Sequence, residues 1–150
     1  MTIISKSRKD GIIEYFDDAQ PAHKDKTKKC PPESVEQENL NHHCRVNFPE
    51  YYGSMFHVVN ESGGKGSTRY GARLNRQGRK KGVPDWPVMV PSNGYHGLFI
   101  ELKRQYKKDS SLGKEQRDFL IRQKDLGYKS VVAYGYKAAL QAIKEYLTPQ

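Results

Sequence analysis

The chain has 150 residues and a mass of 17.2 kDa, room for one domain with a sizeable core. Lys and Arg outnumber Asp and Glu by 26 to 17, giving a formal net charge of +9 and a sequence pI near 9.5, which points to an anionic partner, nucleic acid ahead of a membrane surface. With a mean hydropathy of -0.89 and no apolar run near the roughly 18 residues of a membrane span, a transmembrane segment and a signal peptide are excluded and an intracellular, cytoplasmic protein is expected.

Residues 1–32 contain "ISKSRKDG", "AHKDKTKKCPP" and only the short apolar pieces "TII" and "GIIEYF". They read as a basic extension, partly disordered or adding an edge strand, ahead of a domain over 33–150. Cys30 and Cys44 form neither a CxxC pair nor a disulfide framework, and His42 and His43 are adjacent helix positions about 100° apart, so zinc is not expected. Pro31-Pro32 punctuates, and Ser34 to Gln37 has the form of a capping box opening a helix over about 35–47. "MFHVV" at 55–59 predicts a strand, "NESGGKGS" a loop and "TRYGARLNRQG" a basic amphipathic helix. Two strands, 86–91 and 97–103, follow around the turn "PSNG". "GKEQRDFLIRQKDLGY" predicts a helix ended by Gly127, "KSVVAYG" a buried strand over 129–134, and "YKAALQAIKEYL" a closing helix with Ala139, Leu140, Ile143 and Leu147 on one face. The pattern is α/β, a central mixed sheet of residues 55–59, 86–91, 97–103 and 129–134 flanked by helices.

Charges interrupt the driest of these strands. Along 98–103 the period of two places Phe99, Glu101 and Lys103 on one face, opposite Leu98, Ile100 and Leu102. With the turn centred on Asn93, an antiparallel register sets Asp85 across from Glu101. Two bare carboxylates about 5 Å apart repel, so a positive group belongs between them. Lys103 is one such group, and a hard divalent cation that keeps waters for chemistry is another. A solvated strand face is the ordinary explanation of a Glu-x-Lys pair, but the apolar residues around it suit a sheet covered on both sides.

"GVPD" followed by "FIELK" has the PD-(D/E)xK nuclease pattern, and "GYHGLFIELKR...EQ...LGY...V..YG...A...I.EYL" resembles the virus-type replication-repair nuclease family, VRR-NUC, over residues 34–147. The resemblance implies a restriction-endonuclease-like core, and Mg2+ or Mn2+ held by Asp85, Glu101 and the backbone carbonyl of Leu102, with Lys103 positioning or polarising the attacking water. The family also draws an acidic residue from the first helix. Of Glu36 and Glu38, helical spacing puts Glu36 on the inward stripe with Leu40, His43 and Cys44, although a first-turn glutamate also complements the helix dipole. Gln37 is explained equally by capping. Gln116 in "LGKEQ" resembles a family glutamine that approaches the site, with Gly113 where many relatives carry serine.

Lys65, Arg69, Arg73, Arg76, Arg79, Lys80 and Lys81 cluster ahead of Asp85, with Arg69, Arg73 and Arg76 at i, i+4 and i+7 on one helical stripe. Beside a phosphodiester-cleaving site such a run tracks a nucleic-acid backbone, with little base reading. The resemblance implies a DNA endonuclease of replication, recombination or repair, in a stand-alone phage-like form acting on branched DNA such as four-way junctions as a homodimer. A non-catalytic nucleic-acid-binding module and a sequence-specific restriction-type enzyme are the alternatives.

Overall fold

In the computed structural model, which describes residues 1–60 and 68–150, the elements are β1 (Ile3–Ser7), β2 (Ile13–Asp17), α1 (Glu33–Asn47), α2 (Thr68–Arg76), β3 (Trp86–Val88), β4 (Leu98–Lys103), α3 (Lys114–Asp125), β5 (Lys129–Tyr134) and α4 (Tyr136–Leu147). The strands form a five-stranded mixed sheet in the order β1-β2-β5-β4-β3. β2, β5 and β4 run parallel, while β1 and β3 pair antiparallel at the two edges.

The two faces of the sheet are unequally covered. Leu98, Ile100 and Leu102 of β4 and Val131 and Ala133 of β5 pack against Leu40 and Cys44 of α1 and Ala138, Ala139, Ala142, Ile143 and Tyr146 of α4. Leu140 and Leu147, expected on the interior stripe of α4, lie half-buried at its margin because Ala142 and Tyr146 take the central positions. The opposite face carries α3 and a smaller cluster of Ile12, Leu120, Val132 and Tyr134. The alternation along β4 sends Phe99, Glu101 and Lys103 to this thinner side, which the small cluster leaves open to polar groups.

Two parts of the sheet depart from the sequence expectation. "TII" and "GIIEYF" are not merely parts of a basic extension: they build β1 and β2, and β2 pairs with β5 through Ile13↔Val131, Glu14↔Val132 and Tyr15↔Ala133. Residues 55–59, in contrast, form no regular strand; Met55 alone bridges to Val88. The reason lies in β3. Asp85 and Met89 direct their backbones toward this segment, accepting from Val58 N–H at 2.9 Å and donating to the Ser54 carbonyl at 2.8 Å. Pro87, midway between them with the same orientation, has no N–H, so the ladder lacks its central rung.

Helix α1 also starts earlier than the capping-box reading requires. Pro32 is its N-cap, and the Pro32 carbonyl accepts the N–H groups of Val35 and Glu36 at 3.1 and 3.3 Å. Ser34 therefore lies inside the first turn and Gln37 has no capping role.

Candidate active site

The antiparallel pairing Trp86↔Ile100, Pro87↔Phe99 and Val88↔Leu98, continued by one residue, sets Asp85 opposite Glu101, as the turn geometry predicts. Asp85 is a bend just ahead of β3, so the ladder ends there. Asp85 Oδ2 accepts the Leu102 N–H at 2.9 Å, taking the place of a backbone acceptor. The Leu102 carbonyl, on the same side of its residue as that N–H, faces the same edge.

Around this break the polar groups converge. Glu101 is 1 % exposed, and its Oε1 accepts from Gln116 Nε2 at 2.6 Å and lies 3.4 Å from Lys103 Nζ. Lys103, 6 % exposed, donates to Gln116 Oε1 at 3.0 Å. The same oxygen accepts the Gly113 N–H at 2.8 Å, so Gln116 closes the N-terminus of α3 where Gly113 supplies no side chain. Gly82 holds this corner in place: its φ is +80°, and a Cβ there would stand 2.5 Å from the Glu115 carbonyl. The strand bearing Asp85 thus runs tight against the helix turn bearing Gln116.

Glu101 Oε2 is buried and, when both acids are ionised, has no hydrogen-bond partner among the described residues. Burial, then the neighbouring Asp85 charge, push the Glu101 carboxyl up to about 9, with Lys103 opposing. Burial likewise raises Asp85 against the opposing Leu102 N–H. In the absence of a cation the pair is best satisfied by one shared proton, with Glu101 donating to Asp85. The sign for stability follows. Glu101 binds its proton more tightly folded than unfolded, so its stabilisation is complete below the ordinary value of 4.5 and is lost as pH rises through about 9. In EDTA, the melting temperature of the wild type is expected to fall over this window more steeply than that of Glu101→Gln, and the curves should converge toward acid pH. Parallel curves across the range would refute the shared proton.

Helical spacing selects Glu36 as a third carboxylate, and the structure places it on a different cavity from the acid pair. Glu36 faces inward as expected, 4 % exposed, but its Oε2 accepts the Tyr136 N–H at 2.6 Å and it lines a separate small cavity of about 150 Å3 with Asp17 and Gly135. It caps α4, whose first N–H groups lack intrahelical acceptors. Glu33, one turn nearer the N-terminus, lines the cleft of Asp85, Glu101 and Gln116, a space of about 480 Å3. Burial raises the Glu33 carboxyl, Lys103 lowers it and Asp85 raises it further. Gln37 lines the same cleft one turn beyond Glu33, and its Nε2 is buried without a partner among the described residues. The i, i+4 spacing of Glu33 and Gln37 was a legible signal, obscured by assigning the helix start to Ser34. His57 and Asn60, also missed, form the far wall.

Of the basic residues, Lys65 lies outside the described residues. Arg69, Arg73 and Arg76 are exposed on α2, which buries no side chain. A groove of about 550 Å3 is lined instead by Thr68, Gly71, Ala72 and Asn75 of α2, with Arg79 and Lys81, and Asn60 lines both this groove and the acid cleft. Lys80 is exposed beside it. The arginine stripe therefore lies on a neighbouring helix face, and Arg79 and Lys81 are the cations on the groove.

A mixed α/β sheet whose interrupted edge gathers Asp85, Glu101, Lys103 and Gln116 is consistent with a restriction-endonuclease-like fold. The fold is that of VRR-NUC: a solved structure described as "VRR_NUC domain protein" superposes with a TM-score of 0.66 at 23% sequence identity, covering 79% of this chain and 90% of that one. No family model matches the chain. No curated protein matches it. No helix among the described residues is long and apolar enough to cross a membrane.

Proposed function

We propose that the chain is a metal-dependent DNA endonuclease that hydrolyses phosphodiester bonds. The observation carrying this reading is the buried Glu101 carboxyl set beside Asp85, with Lys103 and Gln116 fixed on its Oε1. The donor set fits Mg2+ or Mn2+. Among the described residues no three His, Cys, Asp or Glu side chains form a closed metal cage, so an ion would rest on Asp85, Glu101, the Leu102 carbonyl and water, as magnesium sites do. Glu33, rather than Glu36, would approach it through water. When bound, the ion supplies a water of lowered pKa and offsets charge on the phosphoryl oxygens.

The chain's own groups do the rest. Gln116 holds Lys103 by an acceptor and Glu101 by a donor, fixing the ammonium beside the acids. There Lys103 orients the attacking water and faces the charge that develops on phosphorus. Arg79 and Lys81 carry the backbone along the groove that shares Asn60 with the cleft. Selectivity for branched DNA, such as a four-way junction, and action as a homodimer rest on the VRR-NUC likeness; paired cuts across a symmetric junction require two sites related by a two-fold axis.

Supercoiled plasmid, linear duplex and a synthetic four-way junction, each incubated with Mg2+, Mn2+ or EDTA, test the proposal. Cutting with metal, strongest on the junction, is expected. Binding without product in either metal would identify a non-catalytic module, and discrete bands from linear duplex a restriction-type enzyme.

A further inference from the structure

Residues 19–32, within the segment that joins β2 to α1, carry Lys24, Lys26, Lys28 and Lys29 against a single acid, Asp25. That acid is engaged locally: its Oδ1 accepts the Thr27 N–H at 2.9 Å and the Thr27 hydroxyl at 2.6 Å, closing a turn. All four lysines are exposed, and none forms an ion pair among the described residues. A charge run is ordinarily no more than a solvated face. This one is fastened at both ends. Gln20 Nε2 donates to the carbonyls of Asp17 at 2.9 Å and Gln105 at 3.2 Å, and its Oε1 accepts the Lys107 N–H at 2.9 Å. Arg104, the residue after Lys103, donates to the carbonyls of Cys30 at 2.8 Å and Pro31 at 3.2 Å, and Cys30 is buried.

The second anchor brings the strap to the acid cleft. Glu33 lines that cleft, and besides burial, Lys103 and Asp85, its carboxyl feels the charge of Arg104. Lys29 precedes Glu33 by four residues, a reach of at most about 14 Å. A duplex carries one phosphate charge per roughly 1.7 Å of its axis, so DNA held at the acids has further phosphates inside that distance. Ammonium groups on flexible stems, carried by a backbone already fixed, meet a polyanion with little further ordering of the chain.

We infer that the strap of Lys24, Lys26, Lys28 and Lys29 binds the DNA backbone beside the acid cleft, as a second phosphate-tracking surface besides the groove of Arg79 and Lys81. The strap leads into the cleft at Glu33, whereas the groove shares Asn60 with it. Contacts of this kind position the nucleic acid without reading its sequence. The inference rests on the DNA-binding part of the reading above and not on cleavage.

The test uses the full chain in EDTA, with linear duplex and a four-way junction as probes. Chemical acetylation of the wild type, read residue by residue by mass spectrometry, is expected to show the four strap lysines losing reactivity when DNA binds, while Lys144 in the last turn of α4 keeps its own. With all four replaced, as Lys24→Gln, Lys26→Gln, Lys28→Gln and Lys29→Gln together, the slope of log affinity against log salt is expected to shrink by about two to four, each phosphate contact contributing about 0.9. With Mg2+ the variant's KM for DNA should rise about tenfold and kcat stay within about threefold, because uniform binding is lost and the acids are untouched. DNA bound by the wild type with these lysines unprotected overturns the strap surface and leaves the endonuclease reading intact, even if the variant fails to fold. An unchanged salt slope in a folded variant also overturns it. Protected lysines in a wild type that cuts with neither metal support the strap and remove the endonuclease reading; no DNA binding at all removes both.

Discussion

Asp85→Ala and Lys103→Ala are each expected to lower DNA cleavage by about a hundredfold to a thousandfold or more, the scale associated with losing one preorganised electrostatic group, while binding in EDTA stays within about threefold. The two variants fail for different reasons. Without the Asp85 carboxylate the Leu102 N–H loses its acceptor and the cleft loses one of its opposed acids. Without Lys103, Glu101 loses the cation 3.4 Å from Oε1 and Gln116 loses a donor, so Glu101 retains its proton more tightly. Metal titration separates them: Asp85→Ala should bind Mg2+ or Mn2+ weakly, whereas Lys103→Ala should bind at least as well as the wild type yet cut poorly. Full cutting by either variant would remove Asp85, Glu101 and Lys103 as the site.

The second large effect is a double dissociation on α1. Glu36→Ala strips the acceptor from the Tyr136 N–H at the start of α4. An unsatisfied buried donor costs about 1–3 kcal/mol, which in a chain of this size lowers the melting temperature by several degrees. Metal affinity in that variant should change little, because Glu36 lines a different cavity from the one that Glu33 shares with Asp85 and Glu101. Glu33→Ala should do the reverse. It removes a carboxyl that burial disfavours, at the loss of its attraction to Lys103, and leaves the melting temperature of the metal-free protein about unchanged, while metal affinity and cleavage fall. A Glu36→Ala protein that melts normally but no longer takes metal would return the third acid to Glu36.

Much of the site was legible because period two is rigid. Once Asn93 marks the turn, the pairing of Asp85 with Glu101 and the shared face of Glu101 and Lys103 follow from counting, and the β3–β4 register agrees. Helical phase also placed Glu36 inward correctly, but inward toward α4 is not inward toward the acids, and a stripe pattern does not distinguish neighbours. The true helix start was hidden by a capping-box pattern at Ser34, where a proline carbonyl does the work. "TII" and "GIIEYF", short and surrounded by lysine, read as at most an edge strand, whereas they build two strands, with β2 inside the sheet beside β5 and Tyr15 buried. Conversely, "MFHVV" had the composition of a strand and lost its regular pairing to Pro87, a residue remote in sequence that removes one donor from the facing edge.

The side-chain acceptor of the Leu102 N–H leaves a further mark on the molecule. Because that amide hydrogen rests on a side chain instead of the sheet, it sits one bond from the ionisable oxygen of Asp85. A single resonance in a nitrogen–proton correlation spectrum should therefore follow the charge of the acid pair, shifting as the proton leaves or an ion arrives. The fold contains its own reporter at the point where its β-ladder stops.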